Sequence, residues 1–217
     1  MAQPSNPVPA MTTTPIPLER PVVVIGPQYL AQYPVDLIIS TKIFTFGEND
    51  FSIKDVNGAL IFKIKSKFMS IHDRRFLKDA AGNTIVNLRQ KIRTAHRRWE
   101  AFRGESTDEK DLLFSVRKSS LFQMKTQLDV FLAGNKSEEV PDFKIKGGWM
   151  ESSCTIFLGD GNSKTIIAQM HRGHNLQTAL LDTENFAVTT YPNVDYAFIM
   201  ALVVVLDEIN NDRSGVD

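Results

Sequence analysis

The side chains that could carry nucleophilic or metal chemistry in this 217-residue chain are four histidines and one cysteine. His171 and His174 are three residues apart, which places them on opposite faces of a strand, and no second cysteine completes a zinc site. His72 beside Asp73 fits a strand entry with local charge pairing better than an acid–base pair. Cys154 has no basic sequence neighbour that would lower its thiol pKa. We therefore expect no metal, no cofactor and no catalytic residue.

The charged residues are unevenly distributed, although 25 basic and 25 acidic residues leave the whole chain neutral. Residues 63–125 contain 16 basic and 7 acidic residues, so this segment carries +9 and the rest of the chain carries −9. A neutral molecule with such segregation does not coat polyanions indiscriminately, but it can bind an anion locally. The pattern predicts a bipolar surface.

Many basic residues of this segment occupy alternate positions on three predicted strands, where side chains share one face. Neighbouring strands lie about 4.8 Å apart, so these side chains could converge on a phosphorylated headgroup. The candidate lipid-binding residues are Lys63, Lys65, Lys67, Arg74, Arg75, Arg89, Lys91 and Arg93. The same residues would also suit a solvated strand exterior or an acidic protein partner. Nucleic acid is disfavoured because no aromatic residues for base stacking are interleaved with them.

The elements that must position these side chains are short β-rich runs between residues 35 and 191. Leu60, Phe62 and Ile64 alternate with lysines, which indicates a strand with one apolar face. Asn57-Gly58 favours the positive φ values of a tight hairpin turn. The runs and turns together predict a meander of antiparallel hairpins, and therefore a mainly β fold.

The final predicted element differs from the others, because residues 196–206 are apolar on every side. The run is shorter than the roughly 20 residues that span a membrane, and a helix that is apolar all round must be enclosed by protein. Pro192-Asn193 offers a cap for a helix over residues 194–209, about 24 Å long, which suits the axis of a small barrel. A buried strand through the β-branched residues 203–205 is the alternative.

The composition predicts which terminal segments are disordered and in which cellular compartment the protein is found. Seven of the ten prolines lie within residues 1–28, a segment with too little apolar surface to fold. We expect a disordered tail over 1–28, one domain over 29–211 and a polar tail over 212–217. A single cysteine excludes an internal disulfide, and no signal peptide is evident, so a cytoplasmic location is expected.

Five stretches, spread in order over nearly the whole predicted domain, resemble plant LURP-one-related proteins. They are Tyr-Pro-Val-Asp-Leu at 33–37, Ile-Lys-Asp-Val-Asn-Gly at 53–58, Ile-His-Asp-Arg-Arg at 71–75, His-Arg-Arg-Trp-Glu at 96–100 and Tyr-Pro-Asn-Val-Asp-Tyr-Ala-Phe-Ile at 191–199. This resemblance implies a tubby-like closed antiparallel barrel of about twelve strands around a central hydrophobic C-terminal helix, a fold shared with tubby proteins and phospholipid scramblases.

The resemblance also implies a function. Tubby relatives bind phosphoinositides through basic residues on the barrel surface, so we expect a non-enzymatic intracellular binding module that tethers to anionic phospholipid headgroups without a transmembrane span. Such a protein would be cytoplasmic, with a peripheral plasma-membrane or partly nuclear population. Some family members are associated with plant defence, so one alternative is a defence or stress interaction domain that has no lipid affinity and meets an acidic protein partner. A second alternative is an enzyme whose site is formed by residues distant in sequence.

Overall fold

The computed structural model describes residues 18–41, 51–66, 74–91, 98–120, 126–148, 153–162, 165–172 and 185–214. Its strands are, in chain order, β1 (Val35–Thr41), β2 (Phe51–Asp55), β3 (Leu60–Ser66), β4 (Arg74–Asp79), β5 (Thr84–Lys91), β6 (Arg98–Arg103), β7 (Leu112–Lys118), β8 (Gln127–Leu132), β9 (Phe143–Gly148), β10 (Ser153–Leu158), β11 (Ile166–Arg172) and β12 (Phe186–Thr190). One helix, α1 (Tyr196–Ser214), follows them, and short 3₁₀ turns lie at Pro27–Tyr29 and Glu109–Asp111.

The strands form one closed barrel in which each strand pairs antiparallel with its neighbours in sequence. Pairing of β1 with β12 closes it, with Val35 opposite Thr190. The hairpin predicted around Asn57-Gly58 is present between β2 and β3, and Gly58 has the positive φ of 82° that the turn requires. The expectation of a mainly β, closed antiparallel barrel with a C-terminal helix is confirmed.

Helix α1 lies inside the barrel, and the inward side chains of the strands pack on it. The helix residues from Ala197 to Leu206 are all buried. Phe198 contacts two strand phenylalanines edge-on or tilted, with ring centroids 5.1 Å from Phe114 and 5.0 Å from Phe143. The β-branched residues 203–205 belong to the helix, so the strand alternative is wrong: burial on every side outweighs their modest β preference.

The helix begins two residues later than predicted, because Asp195 and not Asn193 is its cap. The Asp195 carboxylate accepts a hydrogen bond from the Phe198 amide at 3.0 Å, which satisfies a donor of the first turn. Asn193 instead has a left-handed backbone, with φ 64°. At the other end the helix runs to Ser214, so residues 212–214, expected in a polar tail, are helical.

Asp195 also holds the chain that precedes the barrel. Its second carboxylate oxygen accepts the backbone amides of Ile25 at 2.7 Å, Gly26 at 3.0 Å and Val24 at 3.3 Å. Val22 forms a parallel bridge to Val194 beside this contact. The segment 22–28 was expected in the disordered tail, but here it lies against the helix start; residues 1–17 are outside the described residues.

Replacing Asp195 by alanine should strongly destabilise the protein. The substitution removes the helix cap and leaves buried backbone amides without an acceptor, at about 1–3 kcal/mol for each such group, so we expect a loss of at least about 3 kcal/mol in unfolding free energy. Urea denaturation followed by circular dichroism measures it. The matched control is Asp108→Ala, since Asp108 precedes a 3₁₀ turn without a side-chain capping bond. Equal, small losses in both variants would contradict the role of Asp195.

Candidate functional site: a basic barrel face and an adjoining outer cleft

The outward side chains of β3 and β4 form a basic face, which we define by Lys63, Lys65, Arg74 and Lys78. They alternate with core residues such as Phe62, which is buried, so they point away from the helix. Among the described residues of these two strands, the outward positions carry no carboxylate. The basic face thus confirms the strand-face alternation that the sequence predicted for β3, and Lys78 is a member that the sequence reasoning missed.

Two pairs of cations stand directly opposite each other across this part of the sheet. Lys63 is opposite Lys78 between β3 and β4, and Arg74 is opposite Arg89 between β4 and β5. Like charges in opposed positions destabilise a sheet. Arg89 is compensated by Glu100 at 2.7 Å, whereas the Lys78 ammonium donates to two neutral oxygens, of a threonine and a glycine. The threonine hydroxyl donates in turn to Glu105 at 3.0 Å, so this carboxylate offsets part of the repulsion, and the rest remains between Lys63 and Lys78.

Arg75 does not belong to this face, which corrects its assignment to an outer patch. Its guanidinium forms two bonds with Glu208 of α1, at 2.5 Å and 2.9 Å. Only 13% of the Arg75 side chain and 8% of the Glu208 side chain are exposed. The reason is register: Arg75 is two residues before the core residue Leu77, so it points into the barrel mouth, where it neutralises a buried carboxylate of the helix.

Arg89 and Lys91 point outward but meet a carboxylate. Glu100 accepts a bond from Arg89 at 2.7 Å and one from Lys91 at 3.2 Å. Burial raises the pKa of Glu100, but the bonds and charges of the two cations outweigh it, so the net pKa is lowered. Glu100 remains ionised near neutral pH and cancels part of the charge that was expected to face a lipid. Lys67 and Arg93 lie outside the described residues.

An outer cleft of about 320 Å³ adjoins the basic face on the exterior of β5–β8. Among the residues that line it are Arg89, Lys91, Arg98, Glu100, Phe131 and Glu138. The Arg89 guanidinium stacks over Phe102 at 4.7 Å, and that of Arg117 stacks over Phe131 at 4.6 Å. The Phe102 and Phe131 rings are buried on the outer side of the sheet, and the Arg89 and Arg117 guanidinium groups lie over them.

A carboxylate from the β8–β9 loop closes one side of the cleft. Glu138 accepts two bonds from Arg98, one at 2.8 Å and a second that is shorter, and one from Arg117 at 3.3 Å. Sequence reasoning did not find this cluster, because Glu138 is 40 residues from Arg98 and lies outside the stretches that carry the family resemblance. The structural feature that distinguishes Glu138 is its backbone, which has a positive φ of 51°.

Of the residues weighed for catalysis and metal binding, His72, Asp73 and His174 lie outside the described residues, whereas Cys154 lies in β10 and His171 in β11. Burial raises the pKa of the Cys154 thiol to about 12, so the thiol is protonated near neutral pH. Among the described residues no group of three or more acidic, histidine or cysteine side chains could hold a metal ion. Across those same parts of the chain, no helix has the length and apolar character needed to cross a membrane.

A closed antiparallel barrel filled by its own C-terminal helix, with cations arrayed on the outside, defines the structural class. The LURP-one-related family model matches residues 35–207, and the chain belongs to that family. The match spans the barrel and most of the enclosed helix, so family membership covers the elements that carry both the basic face and the outer cleft.

Curated relatives and a solved structure agree with this membership. The chain is similar to Protein LURP-one-related 15 of Arabidopsis thaliana, 50% identical over 190 residues, covering 88% of this chain and 87% of that protein. It is also similar to Protein LURP1 of the same plant, 41% identical over 192 residues, covering 88% and 92%. A crystal structure of an Arabidopsis thaliana protein, 43% identical, superposes with a TM-score of 0.68 and covers 87% of this chain and 98% of that chain.

Breaking the buried ion pair by Arg75→Met should cost about 3–5 kcal/mol of unfolding free energy, because it leaves the Glu208 carboxylate buried without its guanidinium. The double variant Arg75→Met/Glu208→Leu should recover most of that loss, since no lone charge remains. Urea denaturation of the two variants measures both effects. Lys110→Met is the control: this side chain is 77% exposed and should change stability by less than about 0.5 kcal/mol. A double variant no more stable than Arg75→Met would contradict the pairing.

Proposed function

We propose that this protein is a non-enzymatic binding module that attaches to anionic phospholipid headgroups, phosphoinositides above all, through the basic face. The observation that supports it is the opposed pair Lys63 and Lys78, two outward cations with no carboxylate at the outward positions of their described strands. A strand exterior needs polar residues but does not need like charges opposite one another. An anionic ligand would relieve the repulsion that the folded protein retains there.

The expected strength of attachment follows from the number of cations. Each basic side chain close to an anionic leaflet contributes about 1 kcal/mol, so the four residues of the basic face give roughly 4 kcal/mol. Attachment of that strength is peripheral and sensitive to salt, unless a headgroup carrying several phosphates meets more than one cation at once. Phosphoinositides meet this condition better than phosphatidylserine, which carries a single net charge.

Two alternatives have less support. An interaction domain for an acidic protein partner in plant defence or stress rests on the family association, and it would use the same cations without affinity for lipid. An enzyme would need a site that the barrel interior does not offer, because the helix fills it and the one cysteine is a protonated core thiol. The outer cleft contains ion pairs. No hydrogen bond described among its lining residues joins a nucleophile to a base.

Reversing the opposed pair should abolish lipid attachment. We expect Lys63→Glu/Lys78→Glu to lose binding to phosphoinositide vesicles in co-sedimentation at near-physiological salt, while the unaltered protein binds these in preference to phosphatidylserine vesicles. The matched control is Arg20→Glu/Lys110→Glu, which makes the same charge change at two exposed positions outside the basic face and should retain binding. No binding by the unaltered protein, or equal loss in the control, would refute the lipid module and favour a protein partner.

Lys63→Glu alone should raise stability while it weakens lipid binding, because it converts an opposed like-charged pair into an opposed ion pair. We expect a gain of about 0.5–1 kcal/mol in unfolding free energy. Lys54→Glu is the control, because Lys54 lies opposite Ile38 and Leu60 and not opposite a cation. Denaturant midpoints at low salt measure the difference. Identical changes in the two variants would show that the opposed pair carries no repulsion.

A further inference from the structure

A row of cations that is distinct from the basic face includes two residues that line the outer cleft, Lys91 and Arg98, and a third on the neighbouring strand. Lys91 is opposite Arg98 between β5 and β6. The next pair along, Trp99 opposite Val116, shows that continuing the β6–β7 register by one residue brings Arg98 beside Arg117. We call Lys91, Arg98 and Arg117 the cation row. Three like charges on neighbouring strands repel one another, so the fold requires anions there.

One carboxylate that pairs with the cation row is distant from it in the sequence. Glu138, in the loop between β8 and β9, places its carboxylate between Arg98 and Arg117, and its carbonyl accepts a further bond from Arg117 at 3.2 Å. The side chains are partly solvent-accessible, with 22% of Arg98, 32% of Arg117 and 24% of Glu138 exposed. A ligand arriving from solvent can therefore reach these groups without unfolding the barrel.

Glu138 adopts a backbone conformation that its side chain does not favour. Its φ of 51° is in the left-handed region, which residues other than glycine, asparagine and aspartate rarely occupy. Asn135 supports it by accepting the Glu138 amide at 3.2 Å, and Asn135 is tied in turn to Asp142 at 2.9 Å. The loop base is thus fixed, while the residue that delivers the carboxylate is strained. Strain of this kind persists only where surrounding contacts hold it, and the bonds of Glu138 to Arg98 and Arg117 are among those contacts.

We infer that the cation row is a binding site for a carboxylate on a short aliphatic stem, and that Glu138 occupies it as an internal competitor in the unliganded protein. Bidentate guanidinium groups match the planar geometry of a carboxylate. The stacking of Arg117 on Phe131 fixes one of these groups in place, so the site is preorganised. The ligand is a small dicarboxylic acid or the glutamate side chain of an acidic segment on a partner protein, and both offer the same chemistry. The inference does not rest on lipid binding.

The size and charge of the cleft agree with this ligand. A volume of about 320 Å³ is at the lower end of the range for small-molecule sites, enough for a short acid or one anchoring side chain. Glu100 already forms ion pairs with Arg89 and with Lys91, the member of the cation row on β5. The exchange therefore concerns the Glu138 position alone, where one carboxylate group of the ligand replaces the Glu138 carboxylate.

The test removes the internal competitor. If Glu138 leaves the row in no more than about one molecule in ten, Glu138→Gln raises the apparent affinity for a carboxylate at least about tenfold. Calorimetric titration with glutarate and with a capped hexaglutamate peptide measures it. Glu139→Gln is the matched control, since it makes the same charge change at the adjacent exposed residue and should alter affinity by less than about threefold. Glu138→Asn repeats the test with a residue that tolerates the left-handed backbone.

The outcomes separate the ligand sources and the sites. If Glu138→Gln binds both probes more tightly, a small acid is a sufficient ligand. If it binds only the peptide more tightly, the ligand is an acidic segment of a partner protein. Arg117→Gln in the Glu138→Gln background should remove the gain, whereas Lys63→Glu/Lys78→Glu in that background should leave it intact, so failure of lipid binding and failure of this site are distinguishable. Equal gains in Glu138→Gln and Glu139→Gln, no binding of either probe to the folded Glu138 variants, or tighter binding of inorganic phosphate than of glutarate would overturn the inference.

Discussion

Enclosure of α1 is the constraint on which the rest of the structure depends. A helix that is apolar on every side is stable only when no face of it meets water, and twelve antiparallel strands closed into a barrel provide that surrounding. Every strand must then give its inward positions to the helix. Because the interior is occupied by side chains, the described residues that a ligand can reach lie at outward strand positions and in connecting segments.

The ends of the helix show how the enclosure is completed. At its start, Asp195 is fully buried and satisfies both the first turn of the helix and the backbone of the preceding segment. At the opposite end, Glu208 is buried too, and Arg75 enters the barrel mouth to neutralise it. These two polar contacts mark the two ends of the apolar core. They also explain why one basic residue, Arg75, lies inside the barrel mouth.

Much of this architecture could be predicted from the sequence, because it depends on local patterns. Alternation in β3, the Asn57-Gly58 turn and the apolar run of α1 each identify their element within a few residues. What could not be predicted depends on register and on distant chain segments. Alternation alone does not show that Arg75 lies on the inward side of its strand, and nothing near Arg98 indicates that Glu138 will reach it across 40 residues. Opposed pairs such as Lys63 and Lys78 likewise become visible only when the strands are aligned.

The central claim is that the functional surface of this LURP-one-related protein is the basic face of β3 and β4. Titration of the ¹⁵N-labelled protein with a soluble short-chain phosphoinositide, followed by amide chemical shifts, tests it most directly. The account predicts that the largest shifts cluster in residues 60–66 and 74–79 and diminish as salt is raised. Shifts centred on the outer cleft, or none at a concentration where vesicles carrying the same headgroup sediment the protein, would contradict it.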